Sequence, residues 1–207
     1  MKRRFDAPSK QLLIIFYRNP QLGKVKTRLA AELGDSQALA IYLYLASYTR
    51  TITETITVDK VVFYSDYIDN EDNWSNSGYL KHIQEGSDLG DKMRNAFKYG
   101  FDKGYNSICI IGTDCFELSS SIISNAFEAL TVSDAVIGPA KDGGYYLLGM
   151  NSLHEQLFRN KSWSTNSVFK DTLGDFKAAA IKFYELPELS DIDKASDLPR
   201  ELRHLSQ

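Results

Sequence analysis

Seven short apolar runs, rich in β-branched and aromatic residues, alternate along this chain with stretches of helical spacing. Nothing else in the sequence constrains the fold as much. The runs Gln11–Tyr17, 60–65, 80–84, 106–112, 134–139, Tyr145–Met150 and 178–186 read as strands, several as uninterrupted apolar segments of the kind buried on both faces. Between them, 36–56 places Ala38, Ile41, Tyr42, Leu45, Thr49, Ile52 and Ile56 on one helical stripe. Further helices are expected at 88–103, 119–130, 164–173 and 194–205. Gly34 can end a short preceding helix, Ser36 can cap the next, and Ser119 to Ser121 offer caps for the helix that follows them. Strands alternating with helices specify an α/β protein, a three-layer α/β/α sandwich around a mixed, mostly parallel sheet. Ligands of such sheets collect beyond the carboxyl ends of the strands, so the polar residues that follow each strand are the ones to inspect.

At 207 residues the chain suits one domain, taken here as 1–207, large enough to bury a core without disulfides or a structural metal. A net charge of −3 with 12 Tyr, 11 Phe and 2 Trp excludes disorder as the main state. The same mildly acidic balance argues against a dedicated nucleic-acid binder. No apolar run approaches the roughly 20 residues of a membrane span. The basic cluster Lys2-Arg3-Arg4 is not followed by the apolar segment and cleavage site of a secretory signal. Cys109 and Cys115 have neither CxxC nor zinc spacing with the three scattered histidines, which reads as two reduced thiols in a cytoplasmic protein. Residues 67–79 are polar and turn-rich, hence an exposed loop.

Four strand-following segments carry candidate chemistry. The first is Arg18-Asn19-Pro20-Gln21-Leu22-Gly23-Lys24-Val25-Lys26-Thr27-Arg28, with four cations and a glycine leading into a helix. A glycine loop feeding a helix N-terminus suits phosphate oxygens, and Lys24 and Arg28, four apart, would share a helix face. It is not a P-loop, because Arg18 and Val25 stand where glycine and Ser/Thr are needed. The second is Gly112-Thr113-Asp114-Cys115, where Asp114 can hold Mg²⁺ against phosphate oxygens or simply cap the next helix. The third, Asp191-Ile192-Asp193, puts two carboxylates on one side of an extended segment; it bears on a metal only if it lies beside Asp114, and Asp193 could equally be a cap. The fourth, Gly138-Pro139-Ala140-Lys141-Asp142-Gly143-Gly144-Tyr145-Tyr146, is either a plain turn or a close approach of backbone to a ligand, with Lys141 or Asp142 reaching it. Gln84-Glu85-Gly86-Ser87-Asp88-Leu89-Gly90 is either a loop with Asp88 as helix cap or a contact with a nucleobase or ribose, and Trp163 is either core or a pocket wall. A Cys/His hydrolase built on Cys115 is the outlying alternative, since no histidine is obviously placed beside it.

In this order the segments PQLGKVKTRLA, SDLGDKMRNAF, IGTDCFEL, IGPAKDGGYYLLG, WST and LPELSDIDKASDL resemble the DUF2064 family, which belongs to the nucleotide-diphospho-sugar transferase (GT-A) superfamily and is commonly labelled glycosyltransferase. The resemblance runs from Leu12 to about Leu198. It implies nucleotide binding by Arg18, Gly23, Lys24, Lys26, Arg28, Asp88, Lys92 and Thr113, with Asp114, Lys24 and Arg28 as the catalytic set. It implies Mg²⁺ or Mn²⁺ on Asp114, Asp191 and Asp193, and a substrate pocket lined by Asp142, Gly143, Gly144 and Trp163. Three positions depart from the family pattern: Phe116 replaces Pro in GTDCP, Lys92 replaces Arg in LGxRM, and Lys194 replaces Thr in DIDT. Lys92 keeps the charge without the bidentate fork, and Lys194 brings a cation near the proposed carboxylates.

The resemblance implies transfer from a nucleotide-sugar to a small-molecule acceptor. Nucleotidyl transfer from a triphosphate to a phosphorylated acceptor is the alternative, favoured by the basic first loop and by a single Asp in place of D-x-D. A non-catalytic nucleotide-binding protein is the third reading. The oligomeric state is left open.

Overall fold

The computed structural model describes residues 10–74 and 78–206, so Lys2-Arg3-Arg4 lies outside the described residues. Seven strands form one sheet: β1 (Gln11–Tyr17), β2 (Asp59–Tyr64), β3 (Leu80–Ile83), β4 (Ser107–Ile111), β5 (Ala135–Pro139), β6 (Tyr145–Met150) and β7 (Phe183–Glu185). Their order is β3-β2-β1-β4-β6-β5-β7. All pairings are parallel except those of β6, which runs antiparallel to both β4 and β5. The mixed, mostly parallel sheet is the one expected from the sequence.

Helices cover both faces, and the alternation of strand side chains shows why. Leu13 and Ile15 face a core shared with α2 (Asp35–Glu54) and α4 (Ser120–Ala129). Leu12 and Ile14 face the opposite core, built with α3 (Leu89–Asp102) and α5 (Val168–Ala178). A strand buried on both sides must be apolar throughout, which is how β1 and β4 read. A third cluster joins α1 (Thr27–Leu33) and α2 to Ile192, Leu198 and Leu202 near the C-terminus. Ser119 caps α4 by accepting from the Ile122 N–H at 3.4 Å, as expected.

Several boundaries differ from the sequence expectation. Gly34, not Ser36, is the N-cap of α2. The helix expected at 164–173 becomes Val168–Ala178, because Ser164 is held at φ 61 and the segment before Val168 is used as turns. The strand expected over 178–186 shrinks to Phe183–Glu185, since Ala178 still ends α5 and Ala180 turns at φ 52. The helix expected at 194–205 is two 3-10 turns, Ala195–Asp197 and Arg200–Ser206. Leu198 between them is extended at ψ 118 and precedes Pro199, which disfavours a helical residue before it. The loop after β2 is not simply exposed: Trp74 and Tyr79 are buried, and Trp74 meets Tyr17 and Tyr79 edge-on.

Candidate functional site

In the sheet order β1 lies between β2 and β4, with crossovers leaving in opposite directions, so the loops after β1 and β4 part at their carboxyl ends. A crevice at such a point is where α/β sheets bind ligands. A cleft of about 820 Å³ opens there, within the size range of ligand pockets.

The loop after β1 is fixed from below. The Tyr42 hydroxyl donates to the Arg18 carbonyl at 2.6 Å and accepts from the Arg18 N–H at 3.0 Å. Burial, followed by the charge of Asp114, holds that phenol above its ordinary pKa, so it remains a donor. A turn closed by the Lys24 N–H to the Gln21 carbonyl at 3.0 Å, with Gly23 at φ 72, reverses the chain. Lys26 then adopts the left-handed conformation, φ 48 and ψ 46, as the N-cap of α1. A non-glycine residue rarely occupies that region, and the reason here is what its side chain reaches.

Lys26 Nζ lies 2.9 Å from Asp114 Oδ1 and 3.2 Å from Asp193 Oδ1, with only 4% of the side chain exposed. Arg28, 68% exposed, approaches Asp193 Oδ2 at 3.6 Å. Burial disfavours the Lys26 charge, but Asp114 and Asp193 outweigh it and hold the ammonium above its usual pKa. Residues 191–193 are brought to β4 by backbone pairing: the Ile192 N–H donates to the Asp114 carbonyl at 3.1 Å, and the Ser190 N–H to Glu117 Oε2 at 2.7 Å. The condition set by the sequence, that these aspartates lie beside Asp114, is met. Asp191 has no ion pair among the described residues. Burial and the charges of Asp114 and Asp142 push its carboxyl up to about 7.

The remaining candidates divide. Arg18, Asp88, Lys92, Thr113, Asp142, Gly144 and Trp163 line the cleft with the Lys26 cluster. Asp88 caps α3, accepting from the Asp91 N–H at 2.8 Å, and also lines the cleft. Gly23 and Lys24 do not line the cleft, and Lys24 precedes α1, so it shares no helix face with Arg28. Gly143 is likewise outside the lining: at φ 89 it packs on Asn166, whose carbonyl oxygen would lie 2.1 Å from an added Cβ. That glycine serves a backbone contact that orders the wall containing Asn166. Asp142 closes its own turn by accepting from the Gly144 N–H at 2.8 Å. Lys194 is exposed, and the cation lodged between the carboxylates is Lys26. Phe116 packs against Tyr44 and Tyr48, away from the carboxylates.

Trp163 is both packed and part of the wall. Its ring stacks at 20° on Phe158, and an added Cβ on Gly90 would fall 2.2 Å from its Nε1. Lys161 Nζ sits 5.6 Å over the indole while bound to Asp175 at 2.8 Å and Thr172 Oγ1 at 2.6 Å. Sequence reasoning missed Ser65, Tyr42, Thr165 and Asn166 as lining residues, while Gln84, from the segment after the third strand, does line the cleft. Ser65 follows β2 directly, so the strand-end rule could have found it; Tyr42 was hidden in an apolar stripe. No histidine is among the lining residues, and burial raises the Cys115 thiol well above its ordinary pKa, which removes the Cys/His hydrolase reading.

Among the described residues, no three Asp, Glu, His or Cys side chains are grouped closely enough to hold a metal unaided. No helix among them is long and apolar enough to cross a membrane.

Comparison with known proteins agrees with this fold. No curated protein matches the sequence. A crystal structure of a protein assigned as a nucleotide-diphospho-sugar transferase, from Desulfovibrio desulfuricans G20, is 28% identical, covering 90% of this chain and 83% of that one with a TM-score of 0.83. The inositol-1-phosphate CTP transferase of T. maritima, 13% identical over 98% of this chain and 96% of that one, has a TM-score of 0.55. The bifunctional IspDF of Campylobacter jejuni, also 13% identical, covers 92% of this chain and 53% of that one with a TM-score of 0.60. The last two share the fold. Residues 48–165, which include Asp114, Asp142 and Trp163, match a family described as an uncharacterized protein conserved in bacteria, and the chain belongs to that family, DUF2064.

Proposed function

We propose that the cleft binds a nucleotide-sugar and transfers its glycosyl group to a small acceptor. The transferase assignment is supported by the 28% identical relative and by the position of the cleft. The observation that carries it is the convergence of Arg18, Lys26 and Arg28 from the first loop on Asp114 and Asp193 at the ends of β1 and β4.

The charge of the cleft supports a divalent ion. Five carboxylates (Asp88, Asp114, Asp142, Asp191, Asp193) face four cations (Arg18, Lys26, Arg28, Lys92) among the lining residues. A diphosphate entering this field needs further positive charge. Mg²⁺ is held by one or two carboxylates together with substrate oxygens, so a full protein cage is not required. Asp114 and Asp191 would hold Mg²⁺ or Mn²⁺, with Asp193 beside them. When bound, the ion would neutralise the departing nucleoside diphosphate. The chain's own residues position and stabilise charge: Arg18 and Arg28 hold phosphate oxygens, Lys92 reaches in from the first turn of α3, and the Trp163 wall excludes water and orients the sugar and acceptor.

Nucleotidyl transfer is the second reading, favoured by the fold shared with cytidylyltransferases. The basic first loop supports it less than the sequence suggested. Lys24 lies outside the lining, which leaves one cation fewer for a triphosphate.

A thermal-shift series separates the readings, because a ligand that binds only the folded state raises the melting temperature. Nucleotide-sugars and nucleoside triphosphates are each tested with Mg²⁺, Mn²⁺ or EDTA. A metal-dependent shift with UDP- or GDP-sugars is the expected result. A shift confined to one triphosphate transfers the assignment to nucleotidyl transfer. Weak, metal-independent binding without turnover indicates a nucleotide-binding protein.

A further inference from the structure

The ammonium of Lys26 sits where a cation for these carboxylates would be sought. It engages one oxygen of Asp114 and one of Asp193, it is nearly closed to solvent, and its backbone is held in a left-handed conformation that lysine does not favour. A withdrawn ammonium with two carboxylate partners is well satisfied. Displacing it into the cleft without a new anion would cost both pairings and leave the charge uncompensated.

We propose that Lys26 is a built-in counter-cation that makes the cleft select a metal–nucleotide complex over the free metal ion. Lys26 pairs with one oxygen each of Asp114 and Asp193, so a divalent ion arriving alone meets carboxylates already engaged. A diphosphate offers Lys26 a second anion, reached by rotation of its own side chain, and frees the carboxylate oxygens. Nucleotide and metal therefore bind with positive coupling, each raising the affinity of the other by the same factor. Arg28 assists without substituting, because it is mostly exposed and reaches only Asp193. The inference rests on the nucleotide reading of the cleft, yet its central claim concerns the metal alone and can be read without nucleotide.

The test is Mn²⁺ binding by electron paramagnetic resonance, without nucleotide, to the parent, Lys26→Met and Lys26→Gln, with folding checked by circular dichroism. Both variants are expected to bind free Mn²⁺ about tenfold or more tightly than the parent, within the usual range of coupling between sites. Lys26→Arg, which keeps a cation between the carboxylates, is expected to stay with the parent. Unchanged or weaker Mn²⁺ binding in Lys26→Met and Lys26→Gln overturns the proposal. The parent is then titrated with Mn²⁺ in the presence of UDP and of GDP. Tighter Mn²⁺ binding with either agrees with the coupling. If neither changes it while the Lys26 variants still gain affinity, the counter-cation role stands and the nucleotide reading is the part that fails.

Discussion

Lys26 and Lys81 are both withdrawn from water, with 4% and 7% of their side chains exposed, yet their electrostatic settings are opposite. Lys81 meets one carboxylate, Asp72, at 2.8 Å; that carboxylate also accepts from the Tyr64 hydroxyl at 2.5 Å, and the ammonium donates to the Asp69 carbonyl at 2.5 Å. Charge and hydrogen bonds balance locally, and the pair pins the loop after β2 behind the sheet. Lys26 meets two carboxylates in an open cleft, with Asp191 nearby pushed up to about 7 by burial first and then by the charges of Asp114 and Asp142. A balanced buried pair needs nothing further. On the proposed reading, a cluster with surplus negative charge at the end of a central strand would receive something positive.

Asp114→Ala should break the cleft side of this comparison most severely. Metal-dependent nucleotide binding, followed by isothermal titration, is expected to be lost while the protein stays folded; binding of Mg²⁺-nucleotide as tight as the parent's would remove Asp114 from the site. Lys81→Met is the counterpart. It leaves Asp72 buried without its cation, which costs about 3–5 kcal/mol, so denaturant unfolding should shift strongly while nucleotide affinity is retained. Trp74→Ala should cost a similar amount, about 3–5 kcal/mol, for a buried aromatic in the same region, again without effect at the cleft. If either variant weakens nucleotide binding as much as Asp114→Ala, the two regions are not separable. Arg28→Ala and Lys24→Ala sharpen the contrast within the first loop. Arg28→Ala should weaken nucleoside diphosphate binding measurably in titrations, and Lys24→Ala should change it little, because its side chain lies outside the lining.

The smallest expected effect is that of pH on His154. Burial lowers its pKa, partly offset by Asp134, so the folded state binds its proton less readily than the unfolded chain. The stability this contributes is present above the unfolded value of about 6.5 and is lost as pH falls through the lower folded value. His154→Asn should therefore melt slightly less sensitively than the parent on the acid side of pH 6.5, with no difference at pH 8.

The strands were legible because two-sided burial demands uninterrupted apolar runs, and β1 and β4 supply them. Asp114 was legible because strand ends are privileged places in such sheets. What the sequence hid depends on contacts between distant segments. Nothing near Lys26 signals that its backbone turns left-handed to reach Asp193, 167 residues away. Trp74 stands in a polar stretch, yet its partners Tyr17 and Tyr79 draw it inward. Gly143 looked like a ligand contact because a glycine that meets backbone and one that meets a ligand look alike in sequence; here the neighbour is Asn166. Lys24 and Lys26 could not be told apart by composition, and only the fold of the loop assigns one outside the lining and the other to the carboxylates.

The bare backbone at Gly90 fixes where the Trp163 wall of the cleft stands. The indole of Trp163 rests where a side chain would stand, and behind it are Phe158 and the anchored ammonium of Lys161. A single methyl group at position 90 would have to move that whole stack. The position of the Trp163 wall is thereby set by an atom the sequence leaves out.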